Sequence, residues 1–96
     1  MKKLVTVLGC TGSIGRQSLD VIASHPEEMA LFGIAAGSNI ELLIRQTNEY
    51  HPRVVACETE FDASRLPAGT EVLFGSGAVN QLAAMAEADV VVNGIS

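Results

Sequence analysis

The sequence predicts an α/β fold in which a doubly wound parallel sheet of five strands carries helices on both faces. Short runs of β-branched and other aliphatic residues alternate with longer segments of helical period, which is typical of βαβ units. Of the 96 residues, 48% are hydrophobic and only 4% aromatic, so aliphatic side chains must form most of the core. A chain of this length forms one domain, which we place at residues 1–96.

Five segments have the near-continuous hydrophobicity of strands that are buried on both faces of a parallel sheet. They are residues 4–8, 31–36, 54–57, 71–74 and 89–93. The first segment runs directly into a glycine, and the second ends at Gly37.

Three segments between these strands are predicted to be helical. The first begins at Ser13, has apolar residues at Ile14, Val21 and Ile22, and ends before Pro26, which disfavours helical geometry in the residue before it. The third covers residues 78–88, which are rich in Ala, Leu and Met. Residues 58–70 have no clear period, and we expect one helical turn at 62–65.

The second helix shows the spacing of a capping box, with Ser38 followed three residues later by Glu41. It ends at the His-Pro pair 51–52. Its apolar face is formed by Ile40, Leu43 and Ile44.

Charge and cysteine content exclude several classes of protein. The net charge is −5 and the six basic residues are scattered, which argues against binding along a nucleic-acid backbone. Cys10 and Cys57 do not form the dense cysteine framework of a small secreted domain, so we expect a reducing, cytoplasmic location. The apolar run at 4–8 is too short for a signal-peptide core or a membrane span, and we expect no membrane partner.

A glycine-rich run, Gly-Cys-Thr-Gly-Ser-Ile-Gly at residues 9–15, follows the first strand and opens the first helix. This is where Rossmann-like folds bind the diphosphate of a dinucleotide. Gly9 lets the chain leave the strand, Gly12 admits a diphosphate close to the backbone, and Gly15 lets the helix pack on the sheet. The phosphates would lie on the free N–H groups and positive dipole of the helix, beside the hydroxyls of Thr11 and Ser13. A turn that binds nothing would also need glycines, but its place in a βαβ unit favours a ligand.

The end of the second strand favours NADP(H) over NAD(H). The sequence there is Ala-Ala-Gly-Ser-Asn at 35–39, without the Asp or Glu that binds the ribose 2′-hydroxyl of NAD. The nearest carboxylate, Glu41, lies inside the predicted helix, so a 2′-phosphate would not be repelled. The Gly37 and Ser38 amides, the Ser38 hydroxyl and the Asn39 side chain could bind it. Ser38 and Asn39 could also cap the helix, and the two roles are compatible.

Other polar residues form no catalytic arrangement, and we expect no catalytic or metal-binding residue in this sequence. A thiol at a helix N-terminus can have a lowered pKa, but for Cys10 a small side chain in a crowded turn is the simpler interpretation. His25 and His51 each precede a proline at a helix end and are more typical of C-terminal charges than of metal ligands. The Gly-Ser-Gly run at 75–77 predicts a turn rather than a second ligand loop.

Several motifs resemble the N-terminal part of the 1-deoxy-D-xylulose 5-phosphate reductoisomerases. They occur in order along the whole chain: Val-Leu and the glycine run at 7–15, Ser-Leu-Asp-Val at 18–21, Ala-Gly-Ser-Asn at 36–39, Thr-Glu-Val-Leu at 70–73 and Val-Val-Asn at 91–93. Cys10 stands where Ser or Ala is usual in that family. Ser38 stands where many members carry Lys or Arg, which weakens the argument for a 2′-phosphate.

This resemblance implies an enzyme that isomerises and reduces its substrate to 2-C-methyl-D-erythritol 4-phosphate in non-mevalonate isoprenoid biosynthesis. It implies NADPH, a divalent metal (Mg²⁺ or Mn²⁺), a small-molecule substrate and a homodimer. The family's metal-binding carboxylates and substrate site lie beyond Asn93, so we expect a cofactor-binding fragment without catalysis of its own. The implied NADPH contacts are Thr11, Gly12, Ser13, Ile14, Gly37, Ser38 and Asn39.

Two other interpretations stay open from the residues alone. One is another NADP-dependent reductase with the same glycine run, such as a semialdehyde dehydrogenase or a sugar-nucleotide epimerase. The other is a nucleotide-sensing module without catalysis.

Overall fold

The computed structural model describes residues 2–95, which form five strands, three α-helices and one 3₁₀ turn. The strands are β1 (Lys3–Leu8), β2 (Met29–Ala36), β3 (Val54–Cys57), β4 (Glu71–Phe74) and β5 (Val90–Asn93). The helices are α1 (Ser13–Ser24), α2 (Ile40–Tyr50) and α3 (Ala78–Ala83), and the 3₁₀ turn is Ala63–Arg65. The predicted element types and their order are confirmed.

All five strands lie in one parallel sheet in the order β4-β3-β2-β1-β5. The chain therefore starts near the middle of the sheet, adds strands on one side, and then crosses to place β5 on the other side of β1. In such doubly wound sheets, ligands bind at the carboxyl ends of the strands where the order of winding reverses. Here that point is the carboxyl end of β1.

Helices cover both faces of the sheet, as predicted. On one face, Leu19 and Ile22 of α1 and Leu43 and Ile44 of α2 pack in a cluster with alternate residues of β1, β2 and β3. On the other face, Leu82 of α3 is fully buried among the remaining alternate residues of these strands. This two-sided burial explains why the strand sequences are hydrophobic without interruption. Within residues 2–95, no helix is long and apolar enough to cross a membrane.

Three glycines bring the turn after β1, the start of α1 and the end of β5 into backbone contact. A Cβ atom on Gly15 would lie 2.2 Å from the Gly9 carbonyl oxygen, and one on Gly9 would lie 2.8 Å from the Gly94 carbonyl carbon. Gly9 also has φ +70°, a conformation that favours glycine. The Gly94 amide donates to the Leu8 carbonyl oxygen at 2.7 Å. These contacts fix where α1 begins relative to the sheet.

The third helix is shorter than predicted. It ends at Ala83 rather than near residue 88, although residues 84–88 have good helix formers. The following turns lead to Asp89, which makes two hydrogen bonds to Leu4. The Asp89 amide donates to the Leu4 carbonyl, and the Asp89 carboxylate accepts from the Leu4 amide at 2.8 Å. Pairing with β1 therefore outweighs the local helix propensity, and β5 begins at Val90 instead of Asp89.

The predicted apolar face of the first helix is only partly correct. Ile22 is buried, but Ile14 and Val21 are 56% and 51% exposed, and the residues that face the core are Gly15, Leu19 and Ile22. Ile14 and Val21 line an open apolar groove of about 390 Å³ beside the edge strand β5.

A Gly15→Ala variant should be less stable than the native chain. Alanine favours a helix over glycine by about 1 kcal/mol, but the backbone clash at 2.2 Å would cost roughly 1–3 kcal/mol or more. We expect a lower midpoint in urea unfolding followed by circular dichroism. Gly37→Ala is the control, because a Cβ there would meet nothing within 4 Å and the midpoint should barely change. Equal midpoints for the two variants would contradict this packing.

Candidate functional site

The two predicted binding loops lie side by side at the carboxyl ends of β1 and β2. Leu8, the last residue of β1, is in register with Ala35 of β2. The Ala35 carbonyl oxygen accepts from both the Gly9 amide (2.9 Å) and the Cys10 amide (3.0 Å), which joins the glycine loop to the end of β2. The parallel register therefore brings the residue 9–15 loop and the residue 37–39 loop to one edge of the sheet.

The first turn of α1 offers unpaired backbone donors. The helix is capped by Gly12, which supplies no side-chain hydrogen bond, and no acidic residue lies in the first turn. The amides of Gly9, Cys10 and Gly12 are bonded within the loop or to β2, but no described group accepts from the amides of Thr11, Ser13 or Ile14. Unpaired N–H groups at a helix N-terminus, together with the helix dipole behind them, form a site for an anion.

Gly12 and Gly37 differ from the other glycines of the two loops because the fold leaves room for a side chain at both positions. Gly12 has φ −80°, and a Cβ there would make only ordinary contacts, in contrast to one on Gly9 or Gly15. A Cβ on Gly37 would meet nothing within 4 Å. The fold therefore tolerates a side chain at Gly12 and Gly37. Both glycines are exposed at the proposed site, where the missing side chain leaves room for a ligand close to the backbone.

A crevice of about 120 Å³ lies between the two loops. It is lined by Gly9, Ala35, Ala36, Gly37, Glu58, Val79 and Ile95. The apolar groove beside α1 is larger, but few polar atoms line it and it is not at the carboxyl edge of the sheet. We place the site at the smaller crevice because Gly9 and Gly37 of the two loops line it, and the free amides of the glycine loop lie at the same edge of the sheet.

The predicted capping box at α2 is wrong. Asn39, not Ser38, is the N-cap, and its Oδ1 accepts from the Leu42 amide at 3.4 Å. Glu41 does not reach back to the start of the helix, because its carboxylate is bonded to Arg65 instead. Within the described residues, the Ser38 hydroxyl and the Asn39 Nδ2 group have no partner. Both are exposed donors at the mouth of α2.

An ion pair compensates the charge of the one carboxylate in the first turn of α2. Arg65 donates through Nη1 and Nη2 to the two carboxylate oxygens of Glu41, at 2.7 and 2.8 Å. The hydrogen bonds and charge of Arg65 hold the pKa of Glu41 below its ordinary value. The sequence did not indicate this pair, since the two residues are 24 positions apart and Arg65 lies in a segment without clear period.

The alternative role of Cys10 as a reactive thiolate is not supported. Its side chain is fully buried, and burial raises the pKa of the thiol to about 12. A neutral buried thiol is a poor nucleophile. Cys10 instead fills space under the glycine loop, in agreement with the simpler interpretation.

The histidines lie at helix ends, as expected. His25 is the C-cap of α1, and its Nδ1 lies 2.8 Å from the Val21 carbonyl oxygen. His51 is the C-cap of α2 in the left-handed conformation, with φ 53°. Among residues 2–95, no three His, Cys, Asp or Glu side chains come together in a way that could hold a metal ion.

Two residues at this edge of the sheet were not indicated by the sequence. Glu58 follows β3 and lines the crevice. Gln46 of α2 is buried, and its Nε2 donates to the Cys10 carbonyl oxygen at 2.8 Å. No sequence signal identifies either residue, because both roles depend on long-range packing.

This combination of a doubly wound sheet, a glycine loop with free amides and a crevice beside the first two strands is typical of Rossmann-like folds. The family model described as 1-deoxy-D-xylulose 5-phosphate reductoisomerase matches residues 5–96. The chain belongs to this family. The match decides against the semialdehyde dehydrogenase and epimerase interpretations.

Curated relatives from several bacteria are similar to this sequence. The chain is 36% identical to the 1-deoxy-D-xylulose 5-phosphate reductoisomerase of Bacillus cereus (strain Q1), with 97% of the chain and 25% of the relative covered. It is 39% identical to the protein of the same name from Acaryochloris marina, again over 97% of the chain and 25% of the relative. The chain thus spans about a quarter of the length of these curated relatives.

Solved structures of this family share the fold. The chain matches a DOX-P reductoisomerase in complex with NADPH, fosmidomycin and magnesium with a TM-score of 0.84 and 26% identity, over 97% of the chain and 24% of that structure. It matches the Zymomonas mobilis enzyme in complex with NADPH with a TM-score of 0.81 and 25% identity, over 95% of the chain and 25% of that structure.

Replacement of Arg65 by glutamine should raise the pKa of Glu41 toward its ordinary value of 4.5. In the native chain the folded-state pKa is lowered, so the pair's contribution to stability is present above about pH 4.5 and is lost as the pH falls. Both side chains are exposed, so the effect on stability should be small. NMR titration of the Glu41 carboxyl group measures the shift. Arg45→Gln is the control, since the charge of Arg45 lowers this pKa much less than Arg65 does; an equal shift in both variants would contradict the pairing.

Proposed function

We propose that this chain is the NADPH-binding domain of a 1-deoxy-D-xylulose 5-phosphate reductoisomerase, with its cofactor contacts at Thr11, Gly12, Ser13, Ile14, Gly37, Ser38 and Asn39. The observation that carries the proposal is the start of α1, which no side chain caps. Backbone donors are free there, beside a glycine that the fold itself does not require. Family membership and the NADPH complexes of structural relatives support it.

The diphosphate of the cofactor would bind at the start of α1. The free amides of Thr11, Ser13 and Ile14 donate to its oxygens, and the helix dipole stabilises its charge. The hydroxyls of Thr11 and Ser13 can donate at the same place. A bare backbone at Gly12 allows this close approach, since any side chain there would occupy the space in front of the amides.

The adenosine 2′-phosphate would bind at the mouth of α2. The Ser38 hydroxyl and Asn39 Nδ2 are exposed donors, and the bare backbone at Gly37 leaves room for the ribose. Glu41 in the first turn would repel a phosphate if its charge were free, but Arg65 compensates it. The Arg65–Glu41 pair therefore adds no net charge at the start of α2.

The activity of the whole enzyme lies outside this domain. In the proposal, bound NADPH supplies the hydride, while the remainder of the enzyme binds the small-molecule substrate and a divalent metal, Mg²⁺ or Mn²⁺, and forms the homodimer. The role of residues 1–96 is to orient the cofactor at the carboxyl edge of the sheet. We expect no turnover from these residues alone.

The exposed side of β5 supports a larger parent fold. Within residues 2–95, β5 pairs only with β1, and its Val90 and Val91 are more than 40% exposed. With Ile14 and Val21, these side chains leave an apolar surface that the remainder of a protein about four times as long could cover.

Gly12→Ala should weaken NADPH binding by about tenfold or more while the chain stays folded, because the added methyl group would take space at the start of α1, where the proposal places the diphosphate, without clashing with the protein. Gly77→Ala is a matched control: both glycines cap helices, and a Cβ at Gly77 meets nothing within 4 Å. Fluorescence titration with NADPH measures both affinities. The proposal fails if Gly12→Ala binds as tightly as the control.

Ser38→Asp should reverse the cofactor preference. A carboxylate at this position repels a 2′-phosphate and accepts from a 2′-hydroxyl, so NADPH should bind at least about tenfold more weakly and NADH no worse. Ser76→Asp makes the same change of charge on an exposed loop at the end of β4, and should leave the ratio of the two dissociation constants unchanged. An unchanged ratio in Ser38→Asp would place the 2′-phosphate elsewhere.

A further inference from the structure

Gln46 is a buried polar residue on the core-facing side of α2. Its side chain is 4% exposed and lies next to the buried Leu43 and Ile44 on the same helix. Its Nε2 donates at 2.8 Å to the carbonyl oxygen of Cys10, 36 residues earlier in the glycine loop. A leucine or methionine at this position would fill similar volume without burying an amide.

Burial of this amide is costly to the fold. The Oε1 atom of Gln46 is buried and has no partner among the described residues. A buried acceptor without a partner loses its hydration and gains nothing in return. The hydrogen bond from Nε2 to the loop is therefore what Gln46 contributes that an apolar side chain at this position would not.

This bond determines the orientation of one peptide unit in the loop. The described peptide bonds are all trans, so the Cys10 carbonyl and the Thr11 N–H lie in one plane and point in opposite directions. Because the carbonyl points toward Gln46 in α2, the Thr11 N–H points away from α2. That N–H is one of the free donors of the loop.

The Cys10 backbone is also held from its other side, because its amide donates to the Ala35 carbonyl at 3.0 Å. Bonds from two different elements, β2 and α2, therefore fix both polar groups of one residue. A loop held in this way needs no rearrangement when it binds an anion, and such preorganisation favours affinity.

We propose that Gln46 is a positioning residue for the cofactor: through the Cys10 carbonyl, it aims the Thr11 amide at an oxygen of the dinucleotide diphosphate. The inference rests on the proposed function and extends it to a residue that does not itself touch the ligand. The inference predicts that Gln46 affects binding of the diphosphate and not binding of the 2′-phosphate.

The test compares Gln46→Met, which keeps the length but removes the donor, with Thr47→Val. Thr47 is the adjacent residue, is fully buried, and bonds only within its own helix, to the Leu43 carbonyl. NADPH, NADH and adenosine 2′-monophosphate, which lacks the diphosphate, are titrated against both variants and the native chain, and urea unfolding reports stability.

We expect Gln46→Met to bind NADPH about tenfold more weakly than the native chain does, and to bind NADH more weakly by the same factor. Its binding of adenosine 2′-monophosphate should be unchanged. Thr47→Val should bind all three within about twofold of the native chain. Native affinity in Gln46→Met, an equal loss in Thr47→Val, or a loss that also affects adenosine 2′-monophosphate would overturn the inference. Absence of dinucleotide binding by the native chain would instead contradict the proposed function.

A second measurement on the native chain does not depend on whether a variant folds. In a ¹⁵N-labelled sample, inorganic pyrophosphate should shift the Thr11 amide resonance by a larger amount than the Cys10 amide, which is already bonded to Ala35. A stationary Thr11 resonance at saturating pyrophosphate would overturn the inference.

Discussion

The close backbone contact of Gly9, Gly15 and Gly94 is the constraint on which the rest of this structure depends. With a side chain at Gly9 or Gly15, the turn after β1 could not lie against both the start of α1 and the end of β5. Because the three segments do meet, α1 begins directly at the carboxyl edge of the sheet. Its free N–H groups then lie beside the end of β2, where the second loop is.

The glycines of this chain fall into two groups with different physical reasons. Gly9 and Gly15 are required by packing, whereas Gly12 and Gly37 have space for a Cβ atom and are exposed at the carboxyl edge of the sheet. A motif read only as letters does not separate them. The contacts around each position do, and they indicate that the residues with no structural need are those nearest to the ligand in our proposal.

Much of the architecture was predictable because it depends on local patterns. The bounds of β3 and β4 agree with the aliphatic runs at 54–57 and 71–74, and the turn at Ala63–Arg65 lies within the expected segment. The glycine loop was recognisable from its position between a strand and a helix. The errors arise where contacts between distant residues determine the local structure. Asp89 is hydrogen-bonded to Leu4 and α3 ends before it, and Glu41 is hydrogen-bonded to Arg65 instead of to the start of α2.

The same limit applies to the site. The residues of both loops could be named from the sequence, since their chemistry is carried by the backbone and by short side chains next to strand ends. Gln46 could not, because its spacing is that of an ordinary helix-face position, and its contact with Cys10 exists only once α2 packs beside the loop. Ile14 and Val21 misled the assignment of the α1 core face for the opposite reason, since they are apolar but exposed.

The central claim is that the free amides at the start of α1 bind the diphosphate of NADPH. A crystal structure of the chain with NADPH tests it most directly. The account predicts diphosphate oxygens within about 3.2 Å of the amide nitrogens of Ser13 and Ile14, with the 2′-phosphate near Ser38. A dinucleotide bound elsewhere, such as in the apolar groove beside β5, with these amides left open, would contradict it.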